Sequence, residues 1–120
     1  MATVVIVDDE TGIVDETRDF FEDEGHQVYA TDSGEEGIEL VRNHKPQILL
    51  LDIKLPDISG LRVLEEVKKI SPGTKVIVIT GYVDQAIIDE AEKLGRDAFL
   101  QKPFNFEALQ AEVGRFLGKG

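Results

Sequence analysis

The 120 residues contain no cysteine. That excludes disulfides, thiolate metal sites and a cysteine nucleophile. No apolar run approaches the roughly 20 residues that span a bilayer. No N-terminal stretch has the charged-then-apolar form of a signal peptide, so a cytoplasmic home without membrane contact is expected. Basic residues are scarce: 13 against 24 acidic ones, a net charge of −11. A surface that negative repels phosphate backbones and argues against direct nucleic-acid binding. It suits a divalent cation or a basic patch on a partner protein. The four prolines and 11 glycines are scattered. With no linker, repeat or low-complexity run, one domain over residues 1–120 is expected.

What is present is an alternation of short β-type runs and amphipathic helical ones. Thr3 to Val7 is a β-branched run typical of a strand buried on both faces. From about Thr11 to Glu24, Ile13, Val14, Thr17, Phe20 and Phe21 share a helical face, and Gly25 stops the helix. Gln27 to Thr31 reads as a weaker strand. Ser33 and Glu36 have capping-box spacing and open a helix that carries Ile38, Leu40 and Val41 and ends at Pro46. Ile48 to Leu51 is the most apolar strand. Leu61, Leu64, Val67 and Ile70 repeat at helical spacing, and Lys75 to Thr80 forms a fourth strand. Val83, Ala86, Ile87, Ala91 and Leu94 give another helical stripe, closed by Gly95. Ala98 to Leu100 is a short fifth strand, and a last helix from about Asn105 carries Phe106, Leu109, Val113, Phe116 and Leu117. Repeated βα units demand a parallel sheet covered by helices on both faces.

Ligands of such sheets sit beyond the carboxyl ends of the strands. There the sequence places Asp8, Asp9 and Glu10 after the first strand, and Asp52, Ile53, Lys54, Leu55 and Pro56 after the third. Thr80, Gly81 and Tyr82 end the fourth, and Lys102 and Pro103 follow the fifth. Asp8, Asp9 and Asp52 are expected to crowd together and repel, raising at least one pKa. Oxygen donors of this kind are what Mg²⁺ accepts. A cation, a lysine and a hydroxyl around one carboxylate make a site for phosphoryl transfer to that carboxylate. Taken singly, each feature has a plainer explanation: a helix cap, a loop carboxylate, a strand-end hydrogen bond. Four strand ends in the right order, each with the required residue type, decide for the site. His26 and His44 lie away from that edge and read as surface residues.

These residues resemble the receiver domain of bacterial two-component response regulators, over essentially the whole chain. The likeness is carried by Val5 to Glu10, by Leu49 to Gly60, by Val78 to Tyr82 and by Phe99 to Phe104. It implies a flavodoxin-like (βα)5 doubly wound sheet of strand order 2-1-3-4-5; that order comes with the resemblance and not from periodicity. It further implies that Asp52 is the phosphoacceptor, taking a phosphoryl group from a phosphohistidine on a histidine kinase or histidine phosphotransfer protein. Asp9, Asp52 and the backbone carbonyl of Lys54 would ligate Mg²⁺, with Asp8 holding it through water. Lys102 would pair with phosphoryl oxygens, and Thr80 would hydrogen-bond one of them. Gly81 leaves the phosphoryl group room, and Pro103 would follow a cis peptide.

Phe99 stands where the family has its switch aromatic. Many relatives carry Tyr there, so a signal that rests on the hydroxyl is lost and only its packing part survives. Movement of Thr80 and Phe99 would reshape the face of the fourth helix, fifth strand and fifth helix toward a downstream protein target. Lys54 and Tyr82 lie two residues after Asp52 and Thr80, and this pair resembles single-domain receivers of the sporulation-phosphorelay kind. Both would obstruct an in-line water and lengthen the phosphoryl lifetime. The expectation is a non-enzymatic signalling phosphoacceptor, a monomer or weak dimer, with no output domain in these residues. An Asp-nucleophile phosphatase would need an acid where Lys54 stands, and a flavodoxin would need a phosphate loop where the chain puts carboxylates. A phosphorylation-independent docking module would have lost Asp52 or Lys102.

Overall fold

Side chains on a strand alternate between faces, and in the three central strands both faces are apolar. In β1 (Thr3–Val7), β3 (Ile48–Leu51) and β4 (Lys75–Thr80), Val5, Val7, Leu49, Leu51, Val76 and Val78 enter one core. Val4, Ile6, Ile48, Leu50, Ile77 and Ile79 enter a second core on the other face. The computed structural model, which describes residues 1–81 and 84–118, completes the sheet with β2 (Gln27–Thr31) and β5 (Ala98–Gln101). All pairings are parallel and the order is β2-β1-β3-β4-β5. The expected flavodoxin-like arrangement is therefore observed.

The helices α1 (Thr11–Asp23), α2 (Gly34–His44), α3 (Gly60–Ile70), α4 (Gln85–Lys93) and α5 (Phe106–Leu117) divide between the faces by handedness. A right-handed crossover puts its helix on one face when the chain moves one way along the sheet, and on the other when it reverses. α1 carries the chain from β1 outward to β2, and its Phe21 lies in the second core with Leu109 and Val113 of α5. α2, α3 and α4 move the chain the opposite way. They bring Val41, Val63, Leu64, Val67 and Ala91 to the first core. The reversal falls between β1 and β3, which opens a crevice at their carboxyl ends.

Several local expectations need correction. Ala86 is exposed and Ile88 is half-buried, because α4 covers the edge of the sheet and turns a narrower face inward. Val83 lies outside the described residues. His26 is half-buried, and its Nδ1 accepts a hydrogen bond from the Ala2 backbone N–H at 3.0 Å. His44 is exposed, as expected of a surface residue, and stacks on Tyr29, with centroids 3.9 Å apart. Half of the capping box forms: Ser33 Oγ accepts from the Glu36 N–H at 3.1 Å. The Ser33 N–H turns instead to Thr31 Oγ1, also at 3.1 Å.

The carboxylate that completes this cap comes from elsewhere. Asp57, in the loop between β3 and α3, accepts from Ser33 Oγ and the Gly34 N–H at 2.8 Å and from the Glu35 N–H at 3.0 Å. A negative group on the free N–H groups of a helix start is favourable twice, through hydrogen bonds and through the helix dipole. The Glu35 and Gly34 N–H groups hold the Asp57 carboxyl well below the usual carboxylate range. Because the folded-state pKa is depressed, the contribution to stability is present above the unfolded-state value, near 3.9, and fades as pH falls below it. Urea unfolding should show Asp57→Asn less stable than wild type near neutral pH, with the gap narrowing near pH 3. A gap of equal size in acid would rule out the charged cap.

Candidate functional site

Register places the acidic residues side by side. Val7 is paired with Leu51, so Asp8 and Asp52 leave adjacent strands together. One backbone bond beyond each strand extends the ladder: the Asp52 N–H donates to the Val7 carbonyl at 2.9 Å and the Asp8 N–H to that of Thr31 at 3.1 Å. The pairing of Thr80 with Gln101, and a 2.9 Å bond from the Lys102 N–H to the Thr80 carbonyl, carry Lys102 to the same edge. The Lys102–Pro103 peptide is cis. Gly60, the first residue of α3, lies against the backbone of the loop that follows β3. A Cβ there would stand 2.2 Å from the Asp52 carbonyl oxygen, so no larger residue fits without moving that loop.

At the centre is the Lys102 ammonium. Its Nζ lies 2.8 Å from Asp8 Oδ2, 2.9 Å from Asp52 Oδ2 and 2.6 Å from Glu10 Oε1. Asp8 Oδ1 accepts the Glu10 N–H at 2.9 Å, and Asp52 Oδ1 has a longer contact, 3.3 Å, from the Lys54 N–H. The side chains of Asp8, Asp52 and Lys102 are at most 8% exposed, whereas that of Glu10 is 56% exposed. Burial pushes the Asp8 carboxyl above its usual value against the opposing pull of Lys102 and the Glu10 N–H. Burial works the other way on Lys102, but its interactions with the Asp8, Glu10 and Asp52 carboxylates outweigh it and hold the ammonium well above the usual lysine range.

The expected crowding takes a different membership. Oxygens of Asp8, Glu10 and Asp52 all lie within 4.8 Å of one another. Asp8 and Glu10 converge on Lys102, and Asp9 is not one of the three. Asp9 still lines the cleft of about 440 Å³ that opens on Asp52, together with Lys54, Thr80 and Gly81. Thr80 is buried at its wall, and Lys54 is exposed at its mouth. Phe99 is half-buried and packs against the first core, beside Val78. Tyr82 lies outside the described residues. Two residues that sequence reasoning gave no role, Glu10 and Asp57, make long-range contacts here. A faint signal existed for Glu10, since glutamate is a poor choice at a helix N-cap.

Chemically, the site offers a carboxylate oxygen at a cleft floor, a hydroxyl in the wall, a fixed ammonium and a hard-oxygen donor set. Comparison with known proteins agrees with this chemistry. The family model described as the response regulator receiver domain matches residues 4–114. The chain is 31% identical over 114 residues to sporulation initiation phosphotransferase F of Bacillus subtilis, covering 95% of this chain and 92% of that protein. It is 34% identical over 117 residues to response regulator SaeR of Staphylococcus aureus, covering 98% of this chain and 51% of that longer protein. The crystal structure of a CheY-like receiver domain protein from Methanospirillum hungatei superimposes with a TM-score of 0.90 at 33% identity, over 100% of this chain and 99% of that one.

Removing the ammonium would leave Asp8 and Asp52 buried without a counter-charge. Lys102→Met should therefore lower stability by about 3 kcal/mol, the low end for removing one partner of a buried ion pair. Adding Asp8→Asn should recover part of that loss, because one of two like charges is gone. Denaturant titrations of the two variants in metal-free buffer check this; a double variant no more stable than Lys102→Met would show that repulsion is not the cause.

Proposed function

The chain belongs to the response regulator receiver domain family, and on that premise we propose that Asp52 is its phosphoacceptor. Receiver domains are signalling modules that interact with histidine kinases or phosphotransfer proteins. The observation that carries the assignment is the Asp52 carboxylate itself: buried, held at 2.9 Å by Lys102 and facing the cleft floor. In the transfer, an Asp52 oxygen attacks phosphorus on a phosphohistidine. The new P–O bond forms as the P–N bond breaks, and the leaving imidazole nitrogen keeps the electron pair and takes a proton from solvent. Lys102 turns an N–H toward the phosphoryl oxygens, and the Thr80 hydroxyl donates to another.

The donor set suits a hard divalent ion such as Mg²⁺, since every candidate atom is an oxygen and the carboxylates of Asp8, Glu10 and Asp52 converge. Asp9, Asp52 and the Lys54 carbonyl would hold it, and Asp8 would reach it through water. Bound there, the ion would offset negative charge on the transferring phosphoryl group.

Phosphorylation adds about −1.5 to −2 charges and three acceptor oxygens. Thr80 moves toward them, Phe99 takes up the vacated space, and the α4–β5–α5 face changes shape for a downstream protein target. A tenfold population shift needs about 1.4 kcal/mol of differential affinity. Lys54, exposed at the cleft mouth, shields the acyl phosphate from in-line water, a role in which Tyr82 would share.

Incubation with acetyl phosphate and Mg²⁺ should add the mass of one phosphoryl group, and Asp52→Asn should abolish the gain. Modification that persists in Asp52→Asn would move the acceptor elsewhere. Lys54→Asn should lose its phosphoryl group severalfold faster than wild type when the decay is followed by intact mass. Wild-type decay within seconds would remove the shielding role.

A further inference from the structure

Glu10 occupies the N-cap position of α1, with φ −89° and ψ 100°, yet its side chain makes no capping hydrogen bond. It reaches away from its own helix to Lys102 Nζ. The backbone from which it projects is fixed by Asp8, whose Oδ1 accepts the Glu10 N–H while its Oδ2 lies 2.8 Å from the same ammonium. An ammonium has three N–H donors. Two of them go to Glu10 and Asp52 as hydrogen bonds, and Asp8 Oδ2 stands 2.8 Å away as an ion pair. A phosphoryl group on Asp52 brings three further acceptor oxygens to this crowded ammonium, so a carboxylate has to give way. Releasing Asp8 would strand a buried carboxylate, which is costly. Releasing Glu10, 56% exposed, returns its charge to water.

We propose that Glu10 is a positioning residue, a latch that holds Lys102 in the resting site and is the partner exchanged for the phosphoryl group. This rests on the phosphoacceptor reading of Asp52. While latched, Glu10 occupies a donor for which an incoming phosphoryl oxygen competes. Opening the latch is thus part of the cost of loading Asp52, and weakening it favours the loaded state.

The test uses beryllofluoride with Mg²⁺ as a phosphoryl mimic, titrated calorimetrically against the whole chain, with acetyl phosphate as the reactive counterpart. Glu10→Gln removes the charge. Glu10→Asp keeps it but shortens the arm, and Asp is a favoured N-cap residue that turns back to its own helix instead of reaching Lys102. Both variants should bind beryllofluoride about two- to fivefold more tightly, the range for a half-exposed ion pair. Both should need correspondingly less acetyl phosphate for half-saturation, with the change falling there and not on the saturated rate. Glu10→Gln binding no more tightly than wild type overturns the latch. So does Glu10→Asp matching wild type while Glu10→Gln binds more tightly, since that would be an effect of local charge without contact. Wild-type protein that takes up no beryllofluoride, or an Asp52→Asn variant that binds it equally well, removes the phosphoacceptor reading and the latch with it.

Discussion

Everything at the carboxyl edge of the sheet is organised by one ammonium among three carboxylates. Lys102 lies 50 residues from Asp52 and 92 from Glu10 along the chain, so the cluster exists only when β5 is docked beside β4. The register of four parallel strands is thereby coupled to charge balance at their ends. Either Asp8 or Asp52 alone at this depth would be expensive. Together they are tolerable because a lysine stem, threaded along the sheet edge, delivers its charge between them. Formally the group remains short of positive charge.

The surrounding fold can be seen as what it takes to present that cluster. The reversal of chain direction between β1 and β3 opens a crevice at their carboxyl ends, and Asp52 lines it. Gly60 lets α3 begin directly against the Asp52 backbone, and Asp57 fastens the loop between them to the start of α2. The loop between β3 and α3 is therefore held at both ends. Its middle, with Lys54 at the mouth, stays open to the cleft.

Much of this was legible in the sequence, for identifiable reasons. Four-residue runs such as Ile48 to Leu51 leave little choice but a strand buried on both faces, and polar residues that punctuate each run must then gather at one edge. Strand order was not derivable from periodicity and came with the family resemblance. Ala86 was misassigned to the core because a helical stripe counted by spacing takes no account of how narrow a contact α4 makes at the sheet edge. The Asp57 cap, the His26 bond to Ala2 and the Glu10 contact with Lys102 were invisible because each joins segments far apart in the chain. Side-chain type alone says nothing of such a partner.

Glu10 shows how a local misfit can be read backward. Glutamate at an N-cap forgoes a bond that Ser, Asp or Asn would make, so the start of α1 is weaker than it could be. Asp8 sits with its carboxyl pushed above its ordinary value, a second local loss. Neither has a rationale within its own element, and both find one in the same ammonium. Where local preference is overridden twice within three residues, and both departures converge on one distant side chain, that side chain is where a functional constraint acts. Asp8 and Glu10 thus both converge on Lys102, and that convergence can be seen in the geometry without any likeness to known proteins.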